Sequence, residues 1–209
     1  MKKIILATAI TALSLSAQAQ KNSWYAGGNV GLSSTTHKTD NNGTEKDGSK
    51  QTSWSFSPEV GTFLTNHLQL GIGVTLMGSK DDARTAIKNE TKSTYNGATV
   101  YSRYFFGEGN FRPFLGVNVS VLPGNSKTTL GTVTTETKLM NFGANLNAGF
   151  AYGLNSRVTV VGSLGTLGFQ SETEEVKGSH IKTKTTDFGL DANSLGNRFN
   201  IGVYYTFKK

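Results

Sequence analysis

The chain has 209 residues and a formal net charge of +7, and 36% of its residues are hydrophobic. It contains no cysteine, which excludes a disulfide-bonded scaffold and a metal site built on thiolates. Acidic and basic residues occur together instead of forming a basic face interleaved with aromatic residues, so no nucleic-acid partner is expected.

The N-terminus has the three parts of a secretory signal peptide. Met1-Lys2-Lys3 is positively charged, residues 4–15 are mostly apolar, and Ala17-Gln18-Ala19 is a small-residue cleavage signature. The alternative is a membrane anchor, but the apolar run is shorter than the ~20 residues that a spanning helix needs. We therefore predict a signal peptide over residues 1–19 and a single domain over residues 20–209.

Polar and apolar residues alternate along most of that domain. A period of two predicts β-strands, and the clearest example is 138–152, where Met140, Phe142 and Leu146 oppose Asn141, Asn145 and Asn147. An even number of strands returns both termini to one side, and eight strands close a barrel whose interior is just filled by side chains. The eight predicted strands are 23–34, 53–64, 68–77, 94–106, 111–121, 138–152, 157–168 and 198–207.

The connections between these strands alternate between short and long. Tight links at 65–67, 108–110 and 153–155 take turns with charged stretches at 35–52, 80–93, 124–137 and 171–197, which we expect to be loops. This asymmetry is typical of a closed eight-stranded antiparallel up-and-down transmembrane β-barrel, with short turns and both termini in the periplasm. Residues 186–192 alternate out of phase with the last strand, which indicates either a bulge or a strand extension above the membrane.

The positions of the aromatic residues provide a separate test of this arrangement. Many of them fall near the short-turn end, as expected for the aromatic girdle at a membrane interface. The predicted periplasmic belt is Trp24, Tyr104, Phe106, Phe150, Tyr152, Tyr205 and Phe207.

The candidate functional residues are polar side chains that strand parity directs into the barrel. Glu59 and Arg103 either form a gate in an ion path or belong to a network that satisfies buried charges, and the second interpretation is favoured because unpaired buried charge is unfavourable. The predicted interior network is Glu59, Gln69, Arg103, Arg112, Asn145, Asn147 and Arg157.

No catalytic or metal site is predicted. The three histidines, His37, His67 and His180, fall in loops or turns, and none lies on a strand with a serine and an acid on the same face. No cluster has metal-ligand spacing, and no cofactor is expected. The lysines of the long stretches, such as Lys80 and Lys182, are candidates for pairing with the lipid A phosphates of lipopolysaccharide.

The signal peptide, the strand pattern and the ending from Phe199 to Phe207 together resemble the small eight-stranded outer-membrane β-barrel proteins of the OmpX and OmpA barrel type, also called porin-family proteins. The resemblance implies a monomer in the outer membrane, in contact with its lipid, whose last strand is read by the barrel-assembly machinery. Lys208 and Lys209 follow Phe207 and displace that aromatic end. The expected function is structural or surface-interacting and non-catalytic. A narrow passive porin-like channel for small solutes is the main alternative, and a lipid-modifying enzyme is a weaker one.

Overall fold

The computed structural model describes residues 22–41, 44–83, 89–179, 181–191 and 200–207, with side chains omitted at 39–41, 44–47, 164–166, 190–191 and 200. The predicted signal peptide lies outside these residues. Within them the chain forms strands and turns, and no helix is long and apolar enough to cross a membrane. The strands are β1 Trp24–Asn41, β2 Thr44–Phe63, β3 Leu68–Asp82, β4 Asn89–Phe105, β5 Phe111–Leu130, β6 Val133–Gly153, β7 Val158–Val176, β8 Lys182–Asp191 and β9 Asn200–Phe207.

The strands form a closed antiparallel barrel. Sequential strands pair from β1 to β7, and β9 pairs with both β1 and β7, as in Trp24 with Phe207 and Val158 with Tyr205. The ring therefore has eight members, β1 to β7 and β9, which confirms the predicted fold class. β8 lies outside the ring on β7, farther from the short turns than β9.

The four charged stretches expected to be loops are largely strand, so that expectation was wrong. β5 and β6 stay in register up to Leu130 and Val133, and only Gly131 and Thr132 separate them. Gly131 has φ +61°, a left-handed conformation that suits glycine in a tight turn. These segments are polar on both faces, which removes the hydrophobic pattern, while threonine pairs such as Thr129 with Thr134 still favour a sheet.

Side-chain hydrogen bonds shape two of the three short turns. Thr65 Oγ1 accepts from the backbone N–H of His67 and Leu68 at 3.1 and 2.9 Å. Asn155 Oδ1 accepts from the N–H groups of Arg157 and Val158, both at 2.8 Å. Such local bonds are the reason threonine and asparagine favour turns. We call this side of the barrel the short-turn end and the opposite side the far end.

Successive residues point alternately outward and into the barrel. On β1, Trp24 is 57% exposed whereas Tyr25 is fully buried. The pairing of β6 with β7 shifts between Asn147 and Ala148, so the outward parity on β7 changes there. The buried core lies inside the ring toward the short-turn end and consists of Tyr25, Phe63, Tyr101, Phe105, Phe114, Ala151, Val161 and Tyr204.

Candidate functional site

Aromatic side chains close the barrel interior near the short-turn end. Tyr25 on β1 and Tyr101 on β4 approach from different sides of the ring, and their hydroxyl oxygens lie 2.7 Å apart. Phe114 on β5 is buried beside them. Eight-stranded barrels have just enough interior for such side chains to fill it. We call the following set the plug: Tyr25, Glu59, Phe63, Gln69, Tyr101, Arg103, Phe105, Phe114 and Tyr204.

Arg103 brings a positive charge into the centre of the plug. Its Nη2 lies 3.2 Å from Glu59 Oε2, and the side chains of Arg103 and Glu59 are only 7% and 10% exposed. Nη1 donates to Tyr204 Oη at 3.3 Å and to Gln69 Oε1 at 3.4 Å. The guanidinium carbon also lies 4.2 Å from the centre of the Tyr101 ring, whose face attracts cations. The buried charge is thus held by a carboxylate, two hydrogen-bond acceptors and an aromatic ring.

Glu59 accepts hydrogen bonds from three different strands. Tyr204 Oη on β9 donates to Oε2 at 2.7 Å, in addition to the Arg103 contact from β4. Asn29 Nδ2 on β1 donates to Oε1 at 3.0 Å. A buried carboxylate is tolerated when it is paired and hydrogen-bonded in this way. The carboxylate therefore links β1, β2, β4 and β9 across the interior.

A glycine makes room for the tyrosine pair. A Cβ atom at Gly71 would lie 2.5 Å from the hydroxyl oxygens of both Tyr25 and Tyr101. Gly71 is the inward residue opposite Tyr101 in the register of β3 and β4. The absence of a side chain at this position is what lets the two phenols meet.

A second buried arginine lies closer to the short turns. The Arg112 guanidinium carbon is 4.8 Å from the centre of the Phe105 ring, and Nη2 donates to the Asn66 carbonyl. Beside it is a cavity of about 50 Å³, also lined by Gln69, Thr159 and Thr206. Arg112 therefore ties β5 to the first short turn, and the plug lies between this cavity and the far half of the interior.

The predicted polar network divides into separate groups. Glu59, Gln69 and Arg103 are brought together in the plug. Asn145 lies farther from the short turns, where its Oδ1 accepts from Asn118 Nδ2 at 3.2 Å. Asn147 faces the interior over Gly116, toward which its Oδ1 points.

Arg157 differs from the prediction. It precedes β7 in the third short turn, is exposed, and donates to Tyr205 Oη at 3.0 Å. Tyr205 faces outward, because its neighbour Tyr204 occupies the interior. Strand parity fixes a direction only within a strand, and Arg157 lies just before the first residue of β7.

The seven aromatic residues of the predicted belt lie on the outer face near the short-turn end. Several contact one another, with ring centres 5.2 Å apart in the pairs Tyr104–Phe106 and Tyr205–Phe207. The pairs form on the outside because the strand residues between them, Phe105 and Thr206, take the inward positions. The belt comprises Trp24, Tyr104, Phe106, Phe150, Tyr152, Tyr205 and Phe207.

Several plug residues were not among the predicted site residues. Tyr25, Tyr101 and Tyr204 have inward parity, and Asn29 supplies a donor to Glu59. Phe105 and Phe114 are apolar, so a search for polar interior residues passes over them. Their signal was present in the alternation: each occupies the phase opposite to an outward apolar series on its own strand.

The chemistry of the site is that of a closed, hydrogen-bonded interior. Within the described ranges, no group of three or more histidine, cysteine, aspartate or glutamate residues could hold a metal ion. His67 lies in the first short turn, where Nδ1 is 3.0 Å from the Phe105 carbonyl oxygen and the ring stacks on Tyr104.

A family model and several solved structures are similar to this chain. A family model described as the outer membrane protein beta-barrel domain matches residues 5–207. A comparison with curated proteins finds no match. Neisserial surface protein A is similar in structure, with 15% identity, 88% of this chain and 97% of that one covered, and a TM-score of 0.42. OprG from Pseudomonas aeruginosa has 13% identity, 93% and 99% coverage, and a TM-score of 0.49. The N-terminal barrel domain of Pseudomonas aeruginosa OprF has 13% identity, 90% and 98% coverage, and a TM-score of 0.40.

Proposed function

The chain belongs to the outer membrane protein beta-barrel domain family, and from this premise we propose that it is a structural, surface-interacting barrel without catalytic activity. The observation that carries this proposal is the plug. Arg103, Glu59 and Tyr204 join three strands in the centre of the barrel, where a channel would need open space. With the interior closed, the outer surface of the barrel and its far end are the parts that can interact with other molecules.

The hydrogen bonding of the plug supports a closed interior. Opening a path past Arg103 would separate it from Glu59 and leave two charges buried and unpaired, which is strongly unfavourable. It would also separate the Tyr25 and Tyr101 hydroxyls, which lie 2.7 Å apart. The plug is therefore a fixed part of the fold in this proposal, and small solutes do not pass.

The far end supports a role in surface interaction. β5 and β6 have 20 and 21 residues, whereas a tilted strand crosses the membrane with ~9–11 residues. In the orientation we propose, both termini face the periplasm and the extra strand length projects from the cell. The apolar outer face supports contact with outer-membrane lipid. We also propose that the barrel-assembly machinery recognises β9.

Conductance across a planar lipid bilayer tests the closed interior. We expect the purified full-length barrel to give no steady unitary steps. The Glu59→Gln variant, which removes the counter-charge of Arg103, should give at most brief openings. Steady steps from the wild-type protein would contradict the proposal and favour a narrow porin-like channel.

A further inference from the structure

The outer face of the barrel changes chemistry at one level along several strands. On β6 the outward residues are apolar up to Phe142 and Met140, and the next one is Lys138. On β3 the outward series passes from Leu76 through Gly78 to Lys80. Beyond this boundary the outward residues of β3 to β8 are rich in lysine. The outward lysines on these strands are Lys80, Lys92, Lys127, Lys138, Lys182 and Lys184, and Lys177 lies in the turn after β7, where it pairs with the outward Glu136.

Glutamates neutralise only part of this lysine band. Glu90 lies 2.7 Å from both Lys80 and Lys92. Glu136 lies 2.6 Å from Lys127 and 2.9 Å from Lys177.

Each of these two acids is thus shared by two lysines, and Glu175 pairs with Lys182 at 3.0 Å. Among the residues that the structure describes, no carboxylate forms an ion pair with Lys138 or Lys184. Lys92 and Lys127 are also direct register partners on β4 and β5. The band therefore keeps excess positive charge.

A groove of about 520 Å³ crosses the chemical boundary between β4 and β8. Met140 and Pro123 are register partners on its apolar side. The next outward row combines Asn125, Lys138, Glu175 and Lys182, which are successive register partners across β5 to β8. The groove thus has an apolar side that continues the membrane-facing surface and a polar side with ammonium groups, amide groups and the Glu175 carboxylate.

We infer that this groove binds the phosphorylated sugar headgroup of lipopolysaccharide. The inference rests on the orientation in the proposed function, which places this level in the outer leaflet. Lysine ammonium groups bind phosphate as point charges. Lys138, which has no ion-pair partner among the described residues, provides the uncompensated charge, and Lys182, which pairs with Glu175, provides a second ammonium group. Asn96, Asn125 and Thr173 provide hydrogen-bonding groups for sugar hydroxyls, and Met140 and Pro123 contact the start of the acyl chains.

Native mass spectrometry of the full-length barrel in neutral detergent tests the site. We expect one molecule of bisphosphorylated lipid A to stay bound to the wild-type protein. Lys138→Gln combined with Lys182→Gln should weaken this binding by at least about tenfold, since each lysine near a charged lipid surface contributes on the order of 1 kcal/mol. Dephosphorylated lipid A and phosphatidylglycerol should each bind at least about tenfold more weakly than lipid A.

The matched control is Lys80→Gln combined with Lys92→Gln, which removes the same charge from the same band and also frees one glutamate, Glu90. It should change lipid A binding less than about threefold. Equal losses of lipid A binding in the two double variants would overturn the inference, because lipid A would then be attracted by the charge of the whole lysine band and not bound in the groove. Equal binding of either comparison lipid would overturn it as well. Heat-modifiable gel mobility confirms that each variant is folded, and Lys138→Arg with Lys182→Arg should restore binding.

Conductance measured on the same preparations keeps the two proposals apart. A barrel that conducts but still binds lipid A through Lys138 would contradict the closed interior alone. A silent barrel that does not discriminate lipid A would contradict the groove alone.

Discussion

Arg103 carries a buried charge that is stable only when all of its partners compensate it. Its guanidinium contacts Glu59, Tyr204 and Gln69 and lies over the Tyr101 ring. Removal of one member from a buried ion pair leaves the other charge without compensation, which is more unfavourable than the loss of an exposed pair. The stability of the plug therefore depends strongly on single residues.

Glu59→Gln should lower the free energy of unfolding by about 3 kcal/mol. The substitution keeps the shape of the side chain but removes the charge that faces Arg103 at 3.2 Å. Urea unfolding in lipid vesicles, followed by tryptophan fluorescence, measures the change. Glu175→Gln is the matched control, because Glu175 forms a similar pair with Lys182 in a more exposed position. That variant should lose less than about 1 kcal/mol, and similar losses in both would contradict the importance of burial.

Gly71→Ala should destabilise the barrel by about 1–3 kcal/mol. The added methyl group would lie 2.5 Å from the Tyr25 and Tyr101 hydroxyl oxygens and force their hydrogen bond apart. Gly189→Ala, on β8, adds the same methyl group where no atom lies within 4 Å, and should change stability by less than about 0.5 kcal/mol. The same urea titration compares the two, and an unaffected Gly71 variant would show that the plug can rearrange.

Strand parity gives an inward direction to both parts of the plug, but a search restricted to polar and charged residues selects only its charged centre. Glu59 and Arg103 have opposite charges on inward positions, so the alternation of β2 and β4 was enough to indicate them. Phe105 and Phe114 are apolar, so that search passes over them, although each occupies the phase opposite to an outward apolar series on its own strand. Arg157 could not be placed, because a turn residue has no fixed parity.

At the scale of whole strands, the far ends of β5 and β6 are the part that the sequence described least well. Hydrophobic alternation ends near Val121, yet the pairing continues to Leu130 and Val133. Beyond the apolar band both faces are solvated, so no hydrophobic period can mark the strand. Cross-strand pairs maintain it instead, including Lys127 with Glu136 at 2.6 Å.

β7 pairs with β9 near the short turns and with β8 farther along, and the parity of the outward residues changes between these two parts. Below the register shift, outward Val160 pairs with Val203 of β9, and above it outward Phe169 pairs with Phe188 of β8. The outward residues of β7 thus have even numbers near the short turns and odd numbers farther along. Their outward partners have odd numbers on β9 and even numbers on β8. The out-of-phase segment 186–192 is explained up to Asp191 by a strand extension, and the residues that join it to β9 lie outside the described ranges.

The two ion pairs of Glu136, at the far end of β6, should depend on the ionisation of this carboxyl group. Hydrogen bonds from Lys127 and Lys177 lower the pKa of this carboxyl group from 4.5 to about 2. A lowered pKa means that the ion pairs contribute stability above about pH 4.5, and that the contribution disappears as the pH falls toward 2. NMR titration of the side-chain carboxyl carbon in the folded barrel should give this low pKa.

Lys127→Gln combined with Lys177→Gln should move the pKa of Glu136 back toward 4.5. Lys182→Gln, which removes a lysine paired with Glu175 instead, should leave it near 2. A low pKa that persists without Lys127 and Lys177 would show that other charges stabilise the carboxylate.

For the molecule as a whole, the two ends of the barrel are unlike. Short turns, buried arginines and the aromatic belt lie at one end. Toward the other end, paired strands extend beyond the apolar band and carry the lysine band. The alternation of short and long connections in the sequence was sufficient to predict this polarity. It did not reveal that the long connections are strands, because the length of a connection carries no information about its pairing.

Cysteine labelling on intact cells should establish the orientation. The natural chain has no cysteine, so Thr132→Cys in the β5–β6 turn and Glu108→Cys in a short turn each introduce a single thiol at an exposed position. A membrane-impermeant maleimide should label the first variant and spare the second. Both should react once the outer membrane is permeabilised, which controls for thiol accessibility. Labelling of Glu108→Cys alone on intact cells would reverse the proposed orientation.

Among the strands that the structure describes, β9 closes the ring by joining β1 to the first part of β7. Before β9 is in place, both of these strands have bare edges whose unpaired N–H and C=O groups can template pairing with another chain. The contact between Trp24 and Phe207 joins almost the first and last described residues, and contacts of such long sequence separation form slowly. A chain in which β9 has not yet paired is therefore prone to aggregate through the open edges of β1 and β7.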